Sequence, residues 1–333
     1  MVAVAALLIL ALPGLLAHAE PPAPQATPAA LRAAHAPAVR SSSGALALAW
    51  AAPAPVTRSA SAAPAAPGLS PDEGALLLPP GAAIRKGKLV RFASVAPGGR
   101  TPLVLTGYLA LPPRSPGRGR APAVVLMHGC AGTSLASYRW AQQLRLWGYA
   151  TLVVDSFQAR HISEVCDEPD RLPATQRAGD ALGALVYLQS LRDVDADRIA
   201  LMGWSHGGSA ALWSVDRDWA RAHRPEPWVR FRAAGAFYPS CRWSYAGFMA
   251  PVLIVSGGAD TWAPPRPCER MAERLERRGE PVRLVVYPGA THAFDAVRTT
   301  VHAFGHVFRY SPAATREAIL RVHDFLARNL ALR

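Results

Sequence analysis

Gly203-Trp204-Ser205-His206-Gly207 constrains this chain more than any other stretch. It follows directly on the apolar run Arg198-Ile-Ala-Leu-Met202 and leads into small residues. A buried strand, then G-x-S-x-G, then a helix is a sharp turn that carries a serine on its outside. Glycines on either side let that turn close without a Cβ clash and let a substrate carbonyl reach the backbone. The pentamer alone is weak evidence, and its context supplies the strength. Asp260 follows a later apolar run, Val252 to Ser256, and His292 follows the next, Val282 to Tyr287.

Those runs belong to an alternating pattern. Lys88 to Ala96 and Leu103 to Leu111 read as strands around a Pro-Gly-Gly-Arg turn. Ala123 to Met127, Ala150 to Val154, Ile199 to Met202 and Ala233 to Tyr238 read as further buried strands. Ser137 to Trp147, Pro173 to Leu191, Gly207 to Trp213, Glu269 to Arg278 and Pro312 to Leu330 have helical spacing. Strands buried on both faces and alternating with helices predict a mostly parallel, doubly wound sheet. The first two strands are expected as its antiparallel edge. No internal repeat is visible, and a single catalytic domain over 81–333, without a large lid, is expected.

The first 80 residues differ in texture. Val2 to Leu16 is an apolar run too short for a comfortable membrane span of ~20 residues. It ends in Ala17-His18-Ala19, an A-x-A cleavage signal. We read 1–19 as a signal peptide and the mature protein as periplasmic or secreted. The leading segment carries no Lys or Arg, so an uncleaved anchor is the alternative. Residues 20–80 are rich in Ala, Pro and Ser and are expected to be a disordered linker.

The formal charge of +13 does not imply nucleic-acid binding. Lys86 and Lys88 are the only lysines, and the arginines are spread along the chain with no dense basic run. The cysteines are Cys130, Cys166, Cys241 and Cys268. No C-x-x-C occurs, so zinc is a poor reading. Each pair follows the ends of neighbouring strands, and in an oxidising compartment Cys241–Cys268 is expected first and Cys130–Cys166 second. The alternative is four free thiols.

A hydroxyl needs a base to become a nucleophile, and the base needs an orienting carboxylate. The expected roles are Ser205 nucleophile, His292 general base then acid, and Asp260 holding the imidazole. All three follow strand ends, where sites gather in open α/β sheets. Asp155 and Asp295 are competing carboxylates, and Asp260 could be a plain turn residue. Oxyanion donors are expected from the N–H of His206 and of Cys130 in His128-Gly129-Cys130-Ala131-Gly132, with Ala131 as the alternative. Trp204, Phe157, Arg160, Tyr238, Trp262 and Phe294 lie near strand ends and are pocket candidates. Arg160 could meet a substrate carboxylate.

His128-Gly-Cys-Ala-Gly132, Gly203-Trp-Ser-His-Gly-Gly208, Asp260-Thr-Trp262 and Tyr287-Pro-Gly-Ala-Thr-His-Ala-Phe294 resemble the dienelactone hydrolase family of α/β-hydrolases. The resemblance covers about 87–333. It implies a lidless α/β-hydrolase domain that cleaves esters or lactones without a cofactor or metal. The family's namesake uses a cysteine nucleophile, is cytoplasmic and takes an anionic diene lactone. Ser205 stands here in a chain read as exported, so that substrate is not carried over. A small-molecule ester or lactone is the expected partner. The rivals are a peptidase related to prolyl oligopeptidases and a non-catalytic envelope protein on the same scaffold. Oligomeric state, and any acyl or alcohol preference, are not encoded legibly.

Export predicts a mature N-terminus at Glu20. N-terminal sequencing of protein from the native host measures it, and an intact Met1 in a cytosolic fraction would contradict it.

Overall fold

The computed structural model describes residues 86–96, 101–113, 119–296 and 300–330. The readings of 1–19 and 20–80 lie outside the described residues. Among the described residues, ten strands and six α-helices follow one another in this order. First come β1 (Lys88–Ala93), β2 (Val104–Ala110), β3 (Ala121–Met127), α1 (Leu135–Leu146) and β4 (Ala150–Asp155). Then come α2 (Ala174–Gln189), β5 (Val194–Trp204), α3 (His206–Val215), α4 (Arg217–His223), β6 (Ala234–Phe237) and β7 (Val252–Gly257). The last are α5 (Arg266–Glu276), β8 (Val282–Tyr287), β9 (Val301–Ala303), β10 (His306–Phe308) and α6 (Pro312–Leu330).

Eight strands form one sheet in the order β1-β2-β4-β3-β5-β6-β7-β8. β1 and β2 join it antiparallel at one edge, and β3 through β8 run parallel. The burial patterns explain the division. β1 alternates exposed and buried positions, as an edge strand covered on one face does. β6 and β7 are buried at every position. Successive side chains on a strand point to opposite faces. Val124 and Leu126 accordingly pack with Tyr138, Leu144, Ile319, Val322 and Leu326, from α1 and α6. Val125 and Met127 pack on the other face, in the core built with Leu182, Leu185, Leu212, Met271 and Leu275 from α2, α3 and α5. This is an α/β-hydrolase fold, and its parallel crossovers bring every βα loop to one rim of the sheet.

Several elements were not visible in the sequence or began elsewhere. α1 starts at Leu135, because Ser134 takes the N-cap. β5 starts at Val194, five residues before the apolar run, through a polar stretch containing Asp195 and Asp197. α4 is a short helix capped by the Asp216 side chain, which accepts from Trp219 N–H at 3.0 Å. The β9–β10 hairpin turns at Phe304 and Gly305, both with positive φ. No helix among the described residues is long and apolar enough to cross a membrane.

Both expected cystines are present. Cys241–Cys268 has a Cα separation of 5.0 Å and Cys130–Cys166 one of 4.8 Å, well inside the ~7 Å limit for a bridge. Cys130–Cys166 ties together the loops after β3 and β4, and Cys241–Cys268 ties the segment after β6 to the first turn of α5. The Cys241–Cys268 bridge spans a sequence separation of 27. Cys241→Ser/Cys268→Ser is therefore expected to lower stability by about 3–4 kcal/mol on the chain-entropy account. Denaturant melts of the oxidised protein measure this. Four free thiols on peptide mapping would contradict the pairing.

Candidate active site

The serine turn is built by close approach. β5 carries Gly203 next to the start of α3, where a Cβ would lie 2.1 Å from the Gly207 carbonyl oxygen. A Cβ at Gly207 would lie 2.3 Å from the Met127 oxygen and 2.4 Å from that of His128. Both are far inside van der Waals contact, so only glycine fits. Ser205 between them takes φ 53° and ψ −118°, a conformation that costs an L-residue of order 1–3 kcal/mol. Its N–H donates to the Phe237 oxygen at 2.8 Å, which pins the strained residue to β6. The Ser205 side chain is left on the rim, at the N-terminus of α3.

His292 and Asp260 reach it from the loops after β8 and β7. Ser205 Oγ lies 2.9 Å from His292 Nε2, and His292 Nδ1 lies 2.7 Å from Asp260 Oδ2. The other Asp260 oxygen, Oδ1, accepts the N–H groups of Trp262 at 2.9 Å and Ala263 at 2.8 Å. A carboxylate held at both oxygens presents a fixed acceptor, so Nδ1 carries the hydrogen and Nε2 is free to take one from Ser205. His292 and Asp260 are both buried. The hairpin closes this side. Trp262 stacks on His306 with ring centroids 5.5 Å apart and lies 5.3 Å from the His292 ring.

A cavity of about 500 Å³ opens over Ser205 and His292. Cys130 and His206 line it, where the two oxyanion donors were expected; Ala131 does not. His206 is the first residue of α3, so its N–H has no partner within the helix. Both cystines touch the cavity, through Cys130 and Cys166 on one wall and Cys241 on another.

The pocket candidates need correction. Trp262 alone of the six lines the cavity. Phe157, Trp204, Tyr238 and Phe294 are buried in the core beneath it. Arg160 is unavailable to a substrate: its NH1 and NH2 hold the two Asp180 oxygens at 2.9 and 2.8 Å. The walls are instead Trp213 and Trp243, with Arg242 beside them. Trp243 is 36% exposed, a large apolar surface left facing the opening. Ser240-Cys-Arg-Trp243 follows the end of β6 and could have been nominated by the same strand-end rule that found Asp260. Arg177 was also missed. It falls three residues after Ala174 and four before Ala181, on the buried stripe of α2. A charge on an apolar stripe was its available signal.

The competing carboxylates have other duties. Asp155 Oδ1 caps the following turn, accepting from Phe157 and Gln158 N–H at 2.9 and 3.0 Å. Asp295 is buried, and accepts from Trp140 Nε1 at 2.8 Å, Trp204 Nε1 at 3.1 Å and Tyr238 Oη at 2.7 Å. It braces the residue before Ser205 from inside.

The family profile of the dienelactone hydrolases matches residues 105–330. The chain belongs to the dienelactone hydrolase family. It is 30% identical over 227 residues to an uncharacterised protein of Mycobacterium tuberculosis, covering 62% of this chain and 76% of that one. It is 25% identical over 206 residues to a Bradyrhizobium protein named a probable 2-oxo-3-(5-oxofuran-2-ylidene)propanoate lactonase, covering 56% and 77% of the two chains. Thermogutta terrifontis esterase 2 shares its fold, with a TM-score of 0.55 at 18% identity over 74% of this chain and 96% of that one. Family membership supports a hydrolase activity.

Burial raises the Asp295 pKa above the ordinary carboxylate value, despite its three donors. A carboxyl whose folded pKa is raised binds its proton more tightly folded than unfolded, so stability falls as pH rises from ~4 through the folded pKa. Asp295→Asn keeps an oxygen for the two indoles and can donate to Tyr238 Oη. The expected outcome is that this decline is absent from the variant's stability–pH curve, with turnover largely kept. Denaturant melts between pH 4 and 8, beside wild type, check it.

Proposed function

We propose that this protein is a serine hydrolase that cleaves a carboxylic ester or lactone through an acyl-enzyme on Ser205. The unbroken hydrogen-bond chain from Ser205 Oγ through His292 to Asp260, at the floor of an open cavity, carries the reading. In the first step Ser205 Oγ attacks the substrate carbonyl carbon while His292 Nε2 takes the hydroxyl proton. The carbonyl oxygen becomes an oxyanion between the N–H groups of Cys130 and His206, at the N-terminus of α3. Collapse breaks the bond to the alcohol oxygen, which receives the proton from His292. Water then repeats the sequence on the acyl group, with His292 again as base. The net reaction adds one water and releases acid and alcohol; a lactone gives the hydroxy acid. Each step uses side chains of this chain, and the proposal invokes no cofactor.

The cavity supports a small substrate with a flat apolar group. Its volume is within the range of ligand pockets, ~300–1,000 Å³, and its walls are Trp213, Trp243 and Trp262. Two cystines in the walls and an apolar N-terminal run ending in A-x-A support an extracytoplasmic place of work.

Ser205→Ala is expected to lower kcat by at least ~10³-fold, His292→Ala by a similar amount and the double variant by little more, because the residues act as a unit. The assay is a panel of p-nitrophenyl esters, lactones and peptide amides, with aryl and short alkyl esters compared. Near-normal ester turnover by folded Ser205→Ala would sink the assignment, and faster amide than ester cleavage would favour the peptidase reading.

A further inference from the structure

Arg177 is the largest fully buried side chain among the described residues, and the catalytic scheme above does not use it. It rises from the first turn of α2 and ends directly behind the oxyanion hole. Its NH2 donates to the His128 carbonyl oxygen at 2.7 Å, and its NH1 lies 2.9 Å from His206 Nδ1. One guanidinium thereby grips both segments that supply the oxyanion donors: the end of β3 leading to Cys130, and the first residue of α3. The Phe157 ring backs it, with its centroid 5.3 Å from the guanidinium carbon.

The two imidazoles around it have fixed tautomers, that of His206 through the NH1 contact. An arginine cannot accept, so His206 Nδ1 must be the acceptor and Nε2 carries the hydrogen. Burial and then the Arg177 charge push the His206 pKa down to about 3, against a smaller raising effect of the Pro169 backbone. His128 Nε2 accepts from Ser156 N–H at 3.2 Å, so its Nδ1 carries the hydrogen and donates to the Gly129 oxygen at 2.7 Å; Arg177 NH2, 3.2 Å from that Nδ1, makes no hydrogen bond to it and donates to the His128 carbonyl instead. The Gly129 oxygen belongs to the peptide whose N–H is Cys130's, and accepting a hydrogen bond there polarises the N–H on the other side. Burial and then Arg177 keep His128 neutral too. Asp180, nearby on α2, is bound by Arg160 and offsets part of the charge.

We propose that Arg177 is a positioning residue for the oxyanion hole, clamping the His128–Cys130 strand end to His206 so that the two backbone donors converge on one point. The inference rests on the acyl-enzyme reading of Ser205. A fork with fixed geometry suits the task, because it reaches a carbonyl and a ring nitrogen on different elements at once. It does not touch substrate; it acts through the two segments it holds.

The test begins with Arg177→Met and Arg177→Lys, checked for folding by melting and for intact cystines. Kinetics use a p-nitrophenyl ester that wild type turns over. For Arg177→Met, kcat is expected to fall about 10²-fold with KM changed less than about threefold, because the donors serve the transition state and misplacement costs rate. Arg177→Lys, whose single nitrogen cannot span the two acceptors as the separated guanidinium nitrogens do, should fall between. A second readout is the His206 imidazole followed by NMR with labelled histidine. The groups acting on it are Arg177 from α2, His128 from the end of β3 and the Pro169 backbone. In wild type it should stay largely neutral with hydrogen on Nε2 above pH 4, and in Arg177→Met its pKa should rise, with burial still holding it below the ordinary value. If Arg177→Met does not fold, His206→Ala and His206→Asn test the other end of the clamp. The alanine variant should lose kcat about 10-fold, and asparagine, whose Oδ1 can replace Nδ1 as acceptor, should restore most of it. Unchanged kcat in folded Arg177→Met beside an inactive Ser205→Ala would overturn this inference alone. So would His206→Asn behaving no better than alanine. Full turnover by Ser205→Ala would instead remove the acyl-enzyme reading on which it rests.

Discussion

The approach of α3 to the ends of β3 and β5 is the constraint on which the rest of this molecule depends. Carbonyl oxygens of Met127, His128 and Gly207 occupy the space where side chains at 203 and 207 would stand. The helix can come this close only because both positions are glycine. Its approach forces Ser205 into a positive φ and leaves the hydroxyl on the rim. The same approach sets the first free N–H of α3 beside the loop that carries Cys130. The position of the Ser205 hydroxyl and that of the free His206 N–H are thus one geometric event. The strain at Ser205 is sustained by the two-sided core of the sheet and by the hydrogen bond to Phe237.

Around that event the charges are handled asymmetrically. On the solvent side, Asp260 and His292 form a pair in which the carboxylate is satisfied by two backbone N–H groups as well as the imidazole. Behind the turn lie two further hydrogen-bonded clusters built on buried ionisable side chains. Asp295 collects two indoles and a phenol beneath Trp204. Arg177 collects a carbonyl and an imidazole beneath Cys130 and His206. A buried polar group is costly unless its partners are in place, and each such cluster therefore admits few alternative arrangements. The cystines extend that rigidity to the loops. One bridge fixes the segment after β4 to the Cys130 loop, and the other fixes the segment after β6 to α5.

Much of this was legible in the chain, and the reasons are local. Apolar runs of strand length, each followed by helical spacing, specify a parallel sheet because such strands must be covered on both faces. Ser205, Asp260 and His292 could be nominated together because each follows a run, and topology sends every such loop to one rim, where the three side chains meet. The cysteines paired as expected for the same reason. The errors also have local causes. The stretch from Asp216 to His223 is short and polar, so α4 depends on its Asp216 cap and gave no apolar period. The β9 and β10 strands are three residues each, too short to show alternation.

The sequence by itself determined a mostly parallel sheet with an antiparallel edge, and three side chains placed past its strand ends, because those follow from periodicity and chain order; the order of the strands came from the tertiary structure. Which aromatic side chains face the cavity was decided only by tertiary structure. Trp204 and Trp213 flank the same serine in the chain, yet the first is drawn inward to Asp295 while the second faces outward into the opening. Arg160 and Arg177 leave the same region of the fold, and both are consumed by buried partners more than a helical turn away in sequence. Strand ends bring residues to a rim. Whether a side chain then points to ligand or to core depends on partners from other elements, which no local pattern records.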